Sequence, residues 1–483
     1  MQEKNISKDK EYIDYVESAS SFSIRDKLGY MFGDLGGNTL QVIVNTYLLL
    51  FMTSIVGIRA GHFAVIVAVC KALDSLNDPF IGRFTDKAAG TKYGKYNNII
   101  RKVSVPMAIM TVMLFIDVSG FPYGLKVAWC LIIYFLWGVI SSFWNIPYGT
   151  MLNSISQNQE QRAELSNFRS IGSLGANVIV QTVAPLLIFN NLNEATAQGF
   201  LILSIIGGVF SIICLFFTTR WARERIVITT SSEKKQAVNY KKLFLSFLKN
   251  RPMISIILAY IIVKFFIQTT GITNQYVFQV YFGETKTLAY AGIAQMIPMI
   301  MCMPLLKPLL KKFGKKNLIT WPMIIGAVLY GLLAFVKVSP MAWVIIQGIA
   351  SFFTGFYSLL IWSLIADGVD YHVWLTGERN DGMVYSIVTF VVFLVASLST
   401  TFITLLLSSV GFQPLLQAMQ APGVAENIRH LSAILPAIGC VLIFLIFTLI
   451  YNLSDKDMEK ISIEVGHKAK IREEELEEEL EDK

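Results

Sequence analysis

The chain has 483 residues, of which 54% are hydrophobic and only 16% charged, with a mean hydropathy of +0.54. A soluble protein of this length would carry about 25% charged residues, so the composition points to a membrane class. The net charge of +7 lies mostly in the breaks between apolar runs, which reads as membrane topology rather than nucleic-acid binding.

The first residues, MQEKNISKDKEYIDYVES, are polar and hold no apolar signal-peptide core. The first membrane helix is therefore expected to serve as the insertion signal. About twelve apolar segments are then long enough to cross a bilayer. They fall near residues 28–54, 61–84, 103–118, 126–150, 171–190, 197–218, 252–281, 288–310, 318–338, 342–365, 383–408 and 431–452. Pro79, Pro147, Pro185, Pro298 and Pro304 lie inside these segments. Membrane helices tolerate proline where neighbours or water satisfy the freed carbonyls. Cys70, Cys130, Cys214, Cys302 and Cys440 fall singly in apolar runs, so neither a disulfide framework nor a zinc site is suggested.

The second segment carries the most informative residues. Asp74, Asn77 and Asp78 sit in the run HFAVIVAVCKALDSLNDPFIGRF, where ionised carboxylates are costly and seldom occur without a partner or a task. Residues three and four apart share a helix face, so the three converge, with Lys71 one turn earlier. Two carboxylates and an amide oxygen form a hard anionic cluster that holds a small cation such as Na+ or titrates as a proton carrier. The bland alternative is a buried ion pair that only tightens packing. One lysine, however, does not neutralise two carboxylates.

Further along, Trp144, Tyr148, Tyr357 and Trp362 offer flat faces for the C–H side of a sugar ring. Packing or lipid contact is the bland reading of each. Asn38 and Asn145 offer amides to hydroxyls, and Pro147 frees a carbonyl near Asn145. Lys71 and Thr389 join the substrate candidates. Lys264 lies about 18 Å into the seventh segment from its start at Pro252, with Gln268 at i+4. A lysine at that depth needs an anionic partner: a substrate carboxylate, or a fixed aspartate. Asp86, Lys95, Arg162, Asp367, Asp370 and Arg379 sit at segment ends and are expected to form a cytoplasmic gate of salt bridges.

Basic residues set the orientation. Lys87, Lys92, Lys95, Arg101 and Lys102 follow the second segment, nine lysines and arginines occupy 220–251, and KKFGKK follows the eighth. The intervening loops, such as VSGFPYG, have almost no positive charge. Both termini and the central loop are thus expected in the cytoplasm. The loop GFQPLLQAMQAPGVAENIRH is expected to hold a short surface helix. The halves echo each other faintly: TKYGKYNN after the second segment parallels KKFGKKN after the eighth. This is the form of a duplicated six-helix unit. The expected divisions are 1–27, an amino-terminal cytoplasmic segment; 28–218, a six-helix bundle; 219–251, a central loop; 252–452, a second bundle; and 453–483, an acidic tail.

Several motifs together resemble the glycoside–pentoside–hexuronide:cation symporters, the family of melibiose permease. Lys71-x-x-Asp74-x-x-Asn77-Asp78-Pro79 with Gly82, Asp86 and Tyr93-Gly94-Lys95-Tyr96 resembles that family's second-helix signature. Tyr30-Met31-Phe32-Gly33-Asp34-Leu35-Gly36 resembles its first helix, and Asn145-Ile146-Pro147-Tyr148-Gly149 its fourth. Arg162-Ala163-Glu164-Leu165 with Phe168-Arg169, and Ala366-Asp367-Gly368-Val369-Asp370-Tyr371 with Gly377-Glu378-Arg379, resemble later loops. The resemblance implies an all-α membrane protein of the major facilitator fold, with 12 transmembrane helices in two six-helix bundles. It implies that Asp74, Asn77, Asp78 and Ser142 bind the coupling cation, Na+ or H+, and that Arg169 contacts substrate. Asn38 and Asn145 stand where melibiose permease has aspartates, Gly149 where it has a tryptophan, and Phe393 where it has a lysine. These departures argue against melibiose itself.

The expected function is cation-coupled symport of a sugar, glycoside or hexuronide by a monomer in the cytoplasmic membrane. An amphiphile carrier for lysolipids and a non-transporting membrane sensor are the alternatives. No nucleophile–base pair, nucleotide loop or metal-ligand spacing points to an enzyme, and no cofactor beyond the coupling cation is expected.

Overall fold

The computed structural model describes residues 21–156, 158–226, 250–376 and 399–454, with scattered residues in 12–18, at 395 and in 457–464. Among them the elements are helical, and the only β features are two isolated bridges. In chain order they are α1 Ile24–Leu50, α2 Ala60–Lys87, α3 Tyr96–Leu114, α4 Tyr123–Ile155, α5 Gln159–Ile188 and α6 Ala197–Trp221. After the central loop come α7 Arg251–Tyr276 and the run Leu288–Phe335, which Gly314 parts into α8 (288–313) and α9 (315–335). Gly314 has φ +74°, a left-handed conformation open to glycine at no steric cost. It stands within KKFGKK, the basic break expected after the eighth segment. α10 Pro340–Thr376, α11 Ser399–Ser409 and α12 Pro422–Leu445 follow. α1, α7 and α12 each run on into a π-helical turn.

Among the described residues, eight helices are long and apolar enough to cross a membrane. Several run past the expected spans. α4 has 33 residues and α10 has 37, about 50 Å or more at 1.5 Å per residue. α5 begins at Gln159, twelve residues before the expected 171, because QEQRAEL is polar but rich in helix formers. Hydropathy marks the hydrocarbon core, whereas the helix runs on beyond it. Most of the expected eleventh segment, 383–408, lies outside the described residues. The loop expected to hold a surface helix contains a 3-10 turn, Pro414–Leu416, and then the first turns of α12, which begins at Pro422.

The chain forms two compact units. The first comprises residues 1–233, 271–293 and 400–428. Its core brings Tyr30, Leu40, Tyr96, Trp144, Tyr148 and Met151 together. On the side away from the basic loops its segments are tied by polar hubs. Asn193 accepts through Oδ1 from both the backbone N–H and the hydroxyl of Thr285, at 3.0 and 2.9 Å. The Gln417 amide oxygen accepts from the Ala195 N–H at 2.7 Å and from Gln279 Nε2 at 3.2 Å. Both hub residues have positive φ. The second unit comprises 234–270, 294–399 and 429–483. In it, Arg429 is buried and donates to the Leu333 carbonyl at 2.8 Å, joining α12 to the end of α9.

On the basic side of the first unit, Glu224 caps α3. Its carboxylate is fully buried and accepts from the backbone N–H groups of Lys95, Tyr96 and Asn97 at 2.9–3.1 Å, and from the Tyr12 hydroxyl at 3.3 Å. These are N–H groups that the first turn of a helix leaves without intrahelical partners. Burial pushes the Glu224 carboxyl above its ordinary 4.5, against the opposing pull of these donors. The folded chain therefore binds this proton more tightly than the unfolded chain. Its contribution to stability falls as the pH rises from 4.5 through the raised value, and is flat above it. Glu224→Gln is expected to remove that slope and to cost about 1–3 kcal/mol, since an amide nitrogen then faces backbone donors. Thermal unfolding in detergent across pH measures both, and a variant with the wild-type profile would contradict the cap.

Candidate functional site

The acidic cluster of α2 is turned toward α4. Asp74 has a side chain only 14% exposed, and its Oδ2 lies 3.5 Å from Lys71 Nζ. The Lys71 ammonium also sits over the rings of Tyr134 and Trp137, at 5.7 and 5.8 Å. These two rings are stacked one turn apart on α4. Lys71 is thus held by Asp74 and an aromatic pair. The second oxygen of Asp74 and one oxygen of Asp78 are buried without a hydrogen-bond partner. Asn77 and Ser142 are half-buried. Among the described residues no group of three or more His, Cys, Asp or Glu side chains could hold a metal ion. A cation at Asp74 and Asp78 would therefore draw its other oxygens from amide, hydroxyl or backbone.

Gly138 of α4 makes room for the Asp74 carboxylate. A Cβ at Gly138 would collide with Asp74 Oδ1 and lie 2.7 Å from its Oδ2. Gly138→Ala is expected to push this carboxylate aside while the helix itself gains stability from alanine. Cation-dependent protection against thermal unfolding should be lost in that variant, with insertion intact. Retention of full cation protection would show that the carboxylate is not the ligand.

A second cluster joins α1, α4 and α5. Asp34 has a side chain 5% exposed and lies 3.5 Å from Arg169 Nε. The Arg169 guanidinium sits 5.2 Å over the Tyr148 ring. Asn38, one turn beyond Asp34, donates to the Ser173 hydroxyl at 3.2 Å. Tyr148 stacks on Tyr30 at 4.7 Å, and its hydroxyl donates to the Tyr30 carbonyl at 2.5 Å. Trp144 stacks on Tyr148 at 5.6 Å. The α1 backbone comes this close because Gly33 faces the Tyr148 ring and Gly37 the Trp144 ring, where any Cβ would clash. The faces of both rings are therefore occupied by packing between α1 and α4. Asn145 is half-buried.

The other expected residues are placed as follows. In the second unit Lys264 is half-buried over the Tyr260 ring at 5.5 Å, and Gln268 is half-buried one turn on. Tyr357 is fully buried against Phe447. The side chains of Trp362 and Asp86 lie outside the described residues, as do Thr389 and Arg379. Asp367 is taken by Lys315 of KKFGKK, at 2.7 and 2.9 Å, within its own unit. Asp370 is half-buried on the same helix. Arg162 donates to Asn153 Oδ1 at 3.3 Å. Lys95 gives its backbone N–H to Glu224 and lays its ammonium over Tyr96. The basic side adds two ion pairs that the sequence left unmarked, Lys27 to Glu164 at 2.7 Å and Arg225 to Asp26 at 2.8 Å. Asp34 is the residue of most consequence that sequence reasoning missed as a site. It lies in the quoted first-helix motif, and its signal was the rule already applied to Asp74: a carboxylate in an apolar run.

These helices and their buried ionisable clusters define an all-helical membrane protein of the major facilitator fold. A solved bacterial homologue of the human lysosomal transporter Spinster matches with a TM-score of 0.61 at 15% identity, covering 93% of this chain and 98% of that one. Residues 29–455 match the family described as MFS/sugar transport protein. The chain belongs to that family, the melibiose permease-like glycoside–pentoside–hexuronide:cation symporters, and is a transporter rather than an enzyme. It is similar to YjmB, an uncharacterized symporter of Bacillus subtilis (strain 168), with 29% identity over 463 residues, 94% of this chain and 98% of the relative. It is also similar to a putative sulfoquinovose importer of Escherichia coli (strain K12), with 28% identity over 451 residues, 92% and 94% of the two chains.

Proposed function

We propose that the protein carries a sugar, glycoside or hexuronide across the cytoplasmic membrane together with Na+ or H+, by alternating access between halves 28–218 and 252–452. The observation that carries the coupling is the pair of buried, unpartnered carboxylate oxygens on Asp74 and Asp78. With Lys71 counted against the two aspartates, the cluster carries one net negative formal charge, so one monovalent cation brings it to neutrality. The cation and the sugar each favour the same conformation, so each raises the affinity for the other by the same factor. The relative named as a symporter supports coupling, and the sugar-transport family favours a carbohydrate over a lysolipid.

On the substrate side the amino-terminal half offers Arg169, Asn38 and Asn145, with Asp34 holding Arg169 in place. Because packing takes up the faces of Trp144 and Tyr148, sugar recognition in this half rests on hydrogen bonds rather than on those rings. The test is sugar affinity of the purified protein with and without Na+, and across pH. Affinity that rises with either cation supports the reading, and affinity indifferent to both contradicts it.

Lys264 extends the reading to charge. If it meets the substrate, an acidic sugar binds better than its neutral analogue. Lys264→Gln should then remove that preference, at a cost of about 1.5–3 kcal/mol for a charge-assisted contact. Competition binding with a uronide and its neutral glycoside checks this. Equal affinities in the unmodified protein would exclude it.

A further inference from the structure

We propose that the chain binds the headgroup of an anionic phospholipid in a pocket between the first turn of α1 and the last turn of α6. The pocket has a volume of about 460 Å³ and is lined by Ser23, Arg25, Asp26, Arg220, Trp221 and Arg223. It lies on the side that the basic loops assign to the cytoplasm. Asp26 is already neutralised: Arg225 meets its Oδ2 at 2.8 Å, and the backbone N–H of Arg223 donates to its Oδ1 at 3.2 Å. Among the described residues no carboxylate lies within 4.0 Å of the Arg25, Arg220 or Arg223 guanidinium groups. The Arg223 guanidinium lies 5.0 Å over the Tyr15 ring, so the pocket offers Arg25 and Arg220, both exposed, as its open cations, and no uncompensated anion. A phosphodiester supplies the oxygens that guanidinium groups bind.

The continuation of α6 selects a lipid over a soluble anion. Ile202, Ile206, Val209, Ile213 and Phe216 are all exposed and recur every three or four residues, so they form one apolar stripe along the helix. Arg220 is the next position on that stripe and is itself exposed. Acyl chains lying along the stripe place their phosphate at Arg220. Trp221 packs edge-on to Phe32 at 5.7 Å and against Phe217 at 4.9 Å, fixing an indole where membrane proteins concentrate tryptophan, at the interface. Basic pockets between transmembrane helices on the cytoplasmic side are the recurring form of such headgroup sites.

Native mass spectrometry of the delipidated full-length protein, titrated with phosphatidylglycerol or phosphatidylcholine of matched chains, tests this independently of transport. The expected result is preferential retention of phosphatidylglycerol. Arg25→Gln and Arg220→Gln should each weaken it by about fivefold, as expected for one basic residue at an anionic membrane surface. Both side chains are exposed, so folding should survive. Equal retention of the two lipids by the unmodified protein would overturn the proposal, as would variants that keep the full preference. A third arm uses inorganic phosphate alone. Protection against thermal unfolding equal to that from phosphatidylglycerol would assign the pocket to a soluble anion and overturn the lipid assignment.

Discussion

Asp74→Asn is expected to abolish concentrative uptake while the protein still folds and inserts. In the native protein the Asp74 carboxylate balances Lys71 with one oxygen and leaves the other buried without a partner. Replacing it removes both functions. Lys71 then loses its carboxylate partner on α2, while the faces of Tyr134 and Trp137 remain beside it. The cluster's formal charge rises from −1 to 0, so an entering cation has no net anion to meet. Breaking a buried charge pair by removing one partner costs roughly 3–5 kcal/mol, and a loss of that size in cation binding corresponds to about 10²–10⁴-fold in affinity. Asp78→Asn should give the same loss of coupling without touching the Lys71 pair. Cation-dependent melting shifts together with uptake in proteoliposomes check both variants. Normal concentrative uptake by the two would remove the cation site from α2.

The second large effect is expected at Arg169. Arg169→Ala leaves Asp34 nearly buried with no counter-charge and takes the guanidinium away from the Tyr148 ring. The same roughly 3–5 kcal/mol is at stake, but here it is divided between stability and substrate binding. A double-mutant cycle separates the two. Adding Asp34→Asn to Arg169→Ala removes the orphaned charge, so melting temperature should recover. Substrate affinity should not, because the group that meets the substrate is still missing. A double variant as unstable as Arg169→Ala alone would show that the arginine supports the helices by other contacts. Full substrate affinity in either variant would show that it is not a substrate ligand.

The membrane class, the helical segments and the α2 cluster were legible in the sequence because each rests on a short-range rule. Apolar length gives a span, and i, i+3 and i+4 spacing gives a shared face. Helix ends were less legible, since α5 and α10 continue as polar helix beyond the apolar run. Partnerships between distant residues were not legible. That Gly138 faces Asp74, or that Glu224 caps a helix more than a hundred residues earlier, depends on how helices pack, and no local pattern encodes it. Trp144 and Tyr148 show the opposite case, in which the chemistry of a side chain is legible but its surroundings are not. Aromatic chemistry suggests a sugar platform, yet Gly33 and Gly37 on another helix draw both rings into a core. Asp34 is intermediate: a carboxylate in an apolar run was visible, but only the fold supplies Arg169 as its partner.

The most direct test of cation-coupled sugar transport is uptake by proteoliposomes under an imposed inward Na+ or H+ gradient. The assay would run against a panel of neutral glycosides and uronides. The account predicts that at least one sugar accumulates above its external concentration under one of the two gradients. That accumulation should collapse when an ionophore dissipates the gradient. Sugars that only equilibrate, at a rate unchanged by either gradient, would contradict it.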